Sequence, residues 1–374
     1  DELSSKSRRK KFTAEQVTAR VSAIKNPSES VSMKNADLSG EWLCGLDLHD
    51  AKLNQSLLDH ANLSGSNLER ADMSGVQAIE TDFDHANLRS AILRDSTLRA
   101  SSMQGAHVNN ADLSRCDMSN MSASEADFSR STMVEVDLSQ SDIDRSKMVE
   151  VDARGARLPL EMVEVDMSSA NLSETDVRGR RMVRCVMRGA RLASSDMREM
   201  ELSSSDVRGA DMSLAKMSGA RLPLELEGVN LSGVDLRDRD LSGHDLTGAN
   251  LSEANVSCVA LPRKMERVNL SGVDLRDRDL SGHDLTGANL SGANVSGARL
   301  PRKLARANLS GVDLRDRDLS DTNLSGATLS GARFPRQVQR VNLSGVDLRD
   351  RDLSNTSLSG SNLSNTNLSN ANLS

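Results

Sequence analysis

Large apolar residues recur along this chain at every fifth position. From Met33 the frame runs through Leu38, Leu43, Leu48, Leu53, Leu58, Leu63, Leu68 and Met73 and continues unbroken to Leu158. Of these 26 positions, 23 are Leu, Met, Val, Ile or Phe; the exceptions are Ala78, Ala123 and Ala153. Around each such centre a small residue stands two before, Asp or Asn commonly one before, Ser often one after and Gly often two after. A period of five suits neither regular element. On an α-helix each step of five lands ~140° past the last, and on a strand an odd step flips the side chain to the opposite face. Both would leave half of the large apolar residues in water. A chain that bends once every five residues keeps every centre inward, with the small residue sharing the interior. Ser-Gly and Arg-Gly pairs suit corners that need a positive φ. Coils stacked ~4.8 Å apart let each backbone bond to the coils above and below.

The segments Ala36-Asp37-Leu38-Ser39-Gly40, Ala61-Asn62-Leu63-Ser64-Gly65 and Ala249-Asn250-Leu251-Ser252 resemble pentapeptide-repeat proteins. The resemblance covers residues 33–374 and implies an all-β fold: a right-handed quadrilateral β-helix, with one pentapeptide per side. It specifies the fold and says almost nothing about function.

The frame slips five times, at Leu158–Met162–Met167, Leu222–Leu226–Leu231, Leu261–Met265–Leu270, Leu300–Leu304–Leu309 and Phe334–Val338–Leu343. Each slip is a four-residue step just after Pro159, Pro223, Pro262, Pro301 or Pro335, and each keeps an apolar centre. That predicts a side shortened by one residue rather than a loop leaving the coil. It also predicts that Leu226, Met265 and Leu304 share one face, with Met162 and Val338 on the preceding one. A longer repeat beginning Val229-Asn230-Leu231-Ser232-Gly233 recurs from Val268, Ala307 and Val341, in a 39/39/34 spacing. With one short side, each of the two longer intervals makes two whole coils. The first three copies should therefore stack in register, and the fourth should come one side early.

Residues 1–32 read differently. Thr13 and Gln16 form a capping box, Phe12 can staple to Val17, and Val17, Val21 and Ile24 lie on one face of a helix ending before Pro27. A solenoid exposes apolar surface at its ends, so this helix is expected to cap the first coil. The expected organisation is a basic tail and capping helix over 1–32 and one repeat solenoid over 33–374. The chain does not begin with Met, and it ends at Ser374 inside a motif with no comparable cap. Both point to a processed or partial chain, or to a partner at that end.

Charge divides the repeat region. Residues 1–32 carry seven Lys/Arg against four Asp/Glu, a net +3, and residues 33–164 carry 12 against 23, a net −11. Residues 165–374 are near neutral, since the whole chain totals −7. Aromatic residues make up 1% and no Tyr is present, so the usual bulky core fillers are missing. No run approaches 18 apolar residues, which excludes a membrane-spanning helix. Four Cys without a close pair exclude a disulfide scaffold and a Cys-rich zinc module and fit a reducing compartment such as the cytoplasm or an organelle interior.

Catalytic chemistry finds no foothold. The six His (49, 60, 85, 107, 244 and 283) include no pair at metal-ligand spacing, and no Gly-rich phosphate loop occurs. Cys116 and Cys185 fall where a small inward residue belongs, and Cys44 and Cys258 at turns. No catalytic, metal or cofactor residue is assigned. Arg8-Arg9-Lys10-Lys11 reads as a solvated tail, a targeting signal, or a contact to phosphate or lipid headgroups. The run Arg237-Asp238-Arg239-Asp240 and its copies put Arg239 where a small inward residue is expected, as does Arg180; a salt-bridge ladder or a periodic contact strip would explain this. The outward residues of the short sides turn basic late in the chain, at Arg263, Lys264, Arg302, Lys303, Arg336 and Arg340. These six are the candidate partner contact.

Three functions remain in play. One is a non-catalytic scaffold or interaction subunit of a larger assembly, binding other proteins and not nucleic acid directly. A second, implied by the family's quinolone-resistance branch, is an acidic mimic of duplex DNA that binds a type II topoisomerase such as gyrase, with Asp82, Asp84 and Asp127 in the acidic stretch. The third is the repeat domain of a larger secreted effector or enzyme. For the fold itself, Leu113→Arg should be severely destabilising and the outward Asp112→Arg nearly neutral.

Overall fold

The computed structural model describes residues 9–24, 29–336 and 338–374; Arg8 and Pro27, on which the basic run and the helix end were read, lie outside them. The chain divides into two compact units, Asp1–Asp206 with Gly219–Leu222 and Val207–Ser218 with Pro223–Ser374.

The first unit opens with β1 (Lys10–Lys11) and α1 (Ala14–Ser22). Thr13 Oγ1 accepts from the Gln16 N–H at 3.4 Å and Gln16 Oε1 from the Thr13 N–H at 3.1 Å, closing the capping box. Phe12 and Val17 are both buried, and Arg20 and Lys10 lie 4.4 and 5.0 Å from the Phe12 ring centre. β1 pairs in parallel with β2 (Ala36–Asp37). From there parallel bridges step by 20 along the sequence: Trp42 to Asn62, Asn62 to Asp82, Asp82 to Ser102. One coil of this β-helix therefore takes four pentapeptides.

Each pentapeptide makes the same turn. The carbonyl of a centre accepts from the N–H three residues on, as Leu58 does from Ala61 at 2.9 Å. The third turn residue has φ near +60°: Gly65 at 63°, His60 at 59°, Arg70 at 56°. This is the type II turn, which favours Gly there because other side chains crowd the backbone. Arg, Glu and Asp occupy the same corner at many coils. Their strain is offset by a ladder bond that locks the corner, such as Arg70 N–H to the Arg89 carbonyl at 2.9 Å. The centres fill the interior, with Phe83 and Phe128 among the largest fully buried side chains.

The residue one before each centre is not simply outward. Asp37, Asn62, Asp72 and Asp112 each accept, through Oδ1, the backbone N–H two residues on. These are Asx-turns, and they explain the recurring Asp and Asn. The expectation that Asp112→Arg is nearly neutral is thereby corrected: Asp112 Oδ1 accepts from the Ser114 N–H at 3.1 Å.

The four-residue steps stay in the coil. Met162, Leu226, Met265, Leu304 and Val338 are all 0% exposed. In the first unit β3 (Glu161–Val163) pairs with β4 (Arg181–Val183), Met162 opposite Met182, and the bridge register shortens by one at Lys147–Asp166. In the second unit the same shortened register pairs Asn250 with Asn269 and Asp284 with Lys303. There Leu226, Met265 and Leu304 belong to one stack, since the N–H groups of Leu226, Met265, Leu285 and Leu304 donate to Asp245, Asp284, Lys303 and Asn323. Val338 follows Leu319 in the preceding stack, where Asp321 N–H bonds the Gln339 carbonyl. The long repeat stacks as its spacing requires. Asn230, Asn250, Asn269, Asn289 and Asn308 form an amide ladder with Nδ2–Oδ1 distances of 2.8–3.0 Å. Asn342, from the fourth copy, stands instead on Asn323, one side early.

Leu113→Arg places a charge between Leu93 and Met133 in a filled interior and should cost more than about 4 kcal/mol. Asp112→Arg, losing one turn hydrogen bond, should cost about 1 kcal/mol. Urea denaturation of both variants checks this; equal losses would refute the inward assignment of Leu113.

Candidate functional site

The interior position two before each centre carries the chain's polar chemistry. Ser56 Oγ donates to the Met33 carbonyl at 2.7 Å and accepts from the Ala36 N–H at 3.2 Å. Ser96, Ser131 and Ser141 repeat this bond to the corresponding centre one coil back, and Cys116 Sγ does so to Leu93 at 3.0 Å. Burial pushes the Cys116 thiol up to about 12 and the Cys185 thiol up to about 11, so both are protonated and poor nucleophiles at neutral pH.

The inward arginines serve the same purpose with a longer reach. Arg180 Nε donates to the Leu158 carbonyl at 3.2 Å, Arg317 Nη1 to Ala298 at 3.0 Å and Arg351 Nη1 to Ala332 at 2.9 Å. Arg239 and Arg278 reach the carbonyls of Met217 and Val259. All five head groups therefore bond backbone carbonyls. Burial lowers the proton affinity of Arg239, partly opposed by Asp235. The outer arginines of the same run pair with the Asp two residues before them: Arg237 with Asp235, Arg276 with Asp274 and Arg315 with Asp313, each at 2.6 Å. The run thus divides between surface ion pairs within a single repeat and half-buried carbonyl caps.

In the first unit much of the acidic charge is answered by arginines one coil away: Arg70 on Asp50, Arg115 on Asp95, Arg130 on Glu150 and Arg145 on Glu125, at 2.7–3.1 Å. Asp82 and Asp84 accept the N–H groups of Asp84 and Gln104. Asp127 accepts from the Ser129 N–H and from Asn109 Nδ2. Each of these three carboxylates thus also holds a hydrogen bond within or between coils.

The second unit brings four of the six candidate contacts to one place. Arg263, Lys264, Arg302 and Lys303 line a cavity of about 350 Å³, together with Glu266, His283 and Asp284. Lys303 Nζ bonds Asp284 at 2.9 Å. Arg302 lies 4.0 Å from Asp321, whose carboxylate is taken by Arg340 at 2.6 Å. Arg336 is apart from the cavity; its carbonyl accepts the Ser357 N–H. Arg263 and Lys264 have no ion pair within 4.0 Å among the described residues. The carbonyl caps and the Asx-turns escape a reading by spacing. Their signal is present, as Asp or Asn before each centre and Arg at a position for small residues, but spacing alone does not show what a side chain bonds.

Among the described residues no group of three His, Cys, Asp or Glu converges to hold a metal, and no helix is long and apolar enough to cross a membrane. The parallel ladder, the five-residue turn and the stacked centres define a pentapeptide β-helix. The family model for pentapeptide repeats matches in eight copies, over residues 47–84, 81–120, 124–158, 181–219, 230–262, 269–302, 303–336 and 339–374, and the chain belongs to that family. Among solved structures it is similar to HetL, a pentapeptide repeat protein involved in heterocyst differentiation regulation from the cyanobacterium Nostoc sp. strain PCC 7120. The match is 20% identical, covers 79% of this chain and 96% of HetL, and has a TM-score of 0.26. It is also similar to QnrB1, a plasmid-mediated fluoroquinolone resistance protein, at 14% identity over 55% of this chain and 93% of QnrB1, with a TM-score of 0.33. A pentapeptide repeat protein from the Arabidopsis thaliana thylakoid lumen matches at 22% identity over 30% of this chain and 70% of its own, with a TM-score of 0.19. No curated protein matches the chain.

The arginines and their partners lead to two expected outcomes. Arg317→Met leaves a carbonyl without its donor and should cost about 1–3 kcal/mol, whereas Arg315→Met breaks a solvent-screened surface pair and should cost clearly less; thermal melts of the two variants compare them directly. The side-chain hydrogen bonds from Arg178 and Arg315 hold Asp176 and Asp313 down at about 2, below the ordinary 3.8. Folded values below the unfolded ones mean that this stabilisation is complete above about pH 4 and is lost as pH falls toward 2. Melting temperature should therefore drop across that window, and the drop should be smaller in the Asp313→Asn variant.

Proposed function

We propose that this chain is a non-catalytic scaffold or interaction subunit of a larger protein assembly. Its repeat region, 33–374, is read as a right-handed four-sided β-helix, for which the four-pentapeptide pairing is the support. Helix α1 is read as the cap of the first coil. The bond from Phe12 N–H to the Asp37 carbonyl at 3.1 Å and from Ala14 N–H to Glu41 Oε2 at 2.7 Å supports that role. A non-catalytic reading fits the interior hydroxyls and thiols, which are tied to backbone carbonyls, as well as the raised thiols of Cys116 and Cys185.

The partner is an acidic protein surface, and the contact is the basic edge of Arg263, Lys264, Arg302, Lys303, Arg336 and Arg340. One observation carries this reading. Across the rest of the molecule many surface arginines are matched by a close carboxylate, as Arg181 is by Glu161 at 3.0 Å and Arg184 by Glu164 at 2.8 Å. Around the cavity of the second unit, Arg263 and Lys264 are exposed and make no ion pair within 4.0 Å among the described residues. Such a patch steers and orients an acidic partner, with strong dependence on salt.

Neutralising all six to Gln should leave the melting temperature within a few degrees and weaken a partner co-purified from native extract by about tenfold or more. The partner would be identified by mass spectrometry and its affinity remeasured with purified components. Undiminished binding by the six-residue variant would overturn the docking edge and leave the fold untouched.

A further inference from the structure

The cavity at the basic edge has a centre that the six-residue reading does not include. His283 sits in the interior position two before Leu285, where most repeats carry Ala, Ser or Val. Its coil lies between two Arg-Lys pairs: Asp284 bridges to Lys264 on one side and to Lys303 on the other, and its N–H donates to the Arg263 carbonyl at 2.7 Å. His283 Nδ1 is buried and has no hydrogen-bond partner. A ring protonated on Nε2 leaves only an acceptor orphaned there and presents Nε2–H as a neutral donor.

We infer that this cavity binds a phosphoryl dianion, with Arg263, Lys264, Arg302 and Lys303 supplying charge and His283 a hydrogen bond. The inference deepens the docking-edge reading and rests on it. Formal charge favours a dianion. Of the four cations that line the cavity beside Glu266 and Asp284, Lys303 is paired with Asp284 and Arg302 lies 4.0 Å from Asp321, which leaves Arg263 and Lys264 as the two without an ion pair within 4.0 Å among the described residues; Asp245 acts on Lys264 only through its longer-range charge. Arginine forks suit tetrahedral oxyanions. The volume, at the low end for ligand sites of ~300–1,000 Å³, admits one such group and its attachment, not a large ligand.

The molecule contains its own control. His244 holds the same position in the preceding copy of the long repeat, and its Nδ1 is likewise buried and unpartnered. Its coil, however, rests on Leu224 and Glu225: Asp245 bridges to Glu225 and donates to the Leu224 carbonyl at 2.8 Å. One side of His244 is therefore apolar and acidic, where both sides of His283 are basic.

The test is calorimetric titration of the full chain with inorganic phosphate in low-chloride buffer at neutral pH. A second arm uses a phosphoserine peptide against its unphosphorylated form. Saturable binding of one phosphate is expected, weakened about tenfold or more by Arg263→Gln with Lys264→Gln, several-fold by His283→Gln, and unchanged by His244→Gln. Tighter binding of the phosphopeptide than of inorganic phosphate assigns the group to a partner's side chain, and the reverse assigns it to a free phosphate compound. Absence of saturation, indifference to the Arg263/Lys264 change, or equal losses at His244 and His283 would overturn the site. Circular-dichroism melts of each variant separate loss of binding from loss of folding. Partner capture by the six-residue edge is read without added phosphate, so either reading can fail alone.

Discussion

Everything in these two units depends on the parallel backbone ladder between successive coils. A short bridge one or two residues long is weak by itself, and many corners that lack Gly hold a strained left-handed residue. What makes the arrangement stable is that every coil repeats the same bonds against the next. The centre N–H donates forward, the following corner N–H does the same, and the residue before the centre donates back. In such an array stability is close to a sum of neighbouring contacts. Side chains at one repeat position then form columns, so a single substitution is always read against the residues one coil away. The Asn ladder, the arginine–carboxylate pairs and the carbonyl-capping arginines all follow from that geometry.

The same constraint governs the interior. A centre must be apolar because it is sealed above and below by other centres. The position two before it is close to backbone carbonyls, so it accepts Ala and Val for packing and Ser, Thr or Cys as donors. Arg enters where its stem can run beside the core while the head group reaches a carbonyl. The four-residue steps obey the rule too. Removing one residue shortens the register by one but keeps Met265 and Leu304 buried, since the apolar centre moves with the chain.

Much of this is legible in the residues. The step from Met33 to Leu158 and the apolar residue retained in each slip determine which side chains turn inward, because burial follows period. The Thr13–Gln16 box is legible for a similar reason: its chemistry is local in sequence. Three features are not. Asp112 reads as outward and idle, yet it closes an Asx-turn. Arg239 reads as a ladder or contact residue, yet it caps the Met217 carbonyl one coil back. The gathering of Arg263 with Lys303 into one cavity needs the register across a short side. In each case the sequence carries the residue type, while the bond depends on backbone geometry or on which residue lies one coil away. The six contact residues share a basic character in sequence, but the structure separates Arg336 from the cavity and commits Arg340 to Asp321.

The register across a shortened side is the most direct point of test. Asn289 and Asn308 are stacked neighbours across such a side, their amides hydrogen-bonded at 3.0 Å. Parallel neighbours in a ladder fall within the Cα separation of ~4.4–6.8 Å that a disulfide needs. With the four native cysteines changed to Ser or Ala, a cysteine pair at 289 and 308 should oxidise readily, and a pair at 289 and 309, one position off and inward, should not. Efficient crosslinking of 289 to 309 instead, or of neither pair in a folded protein, would contradict the coil described here.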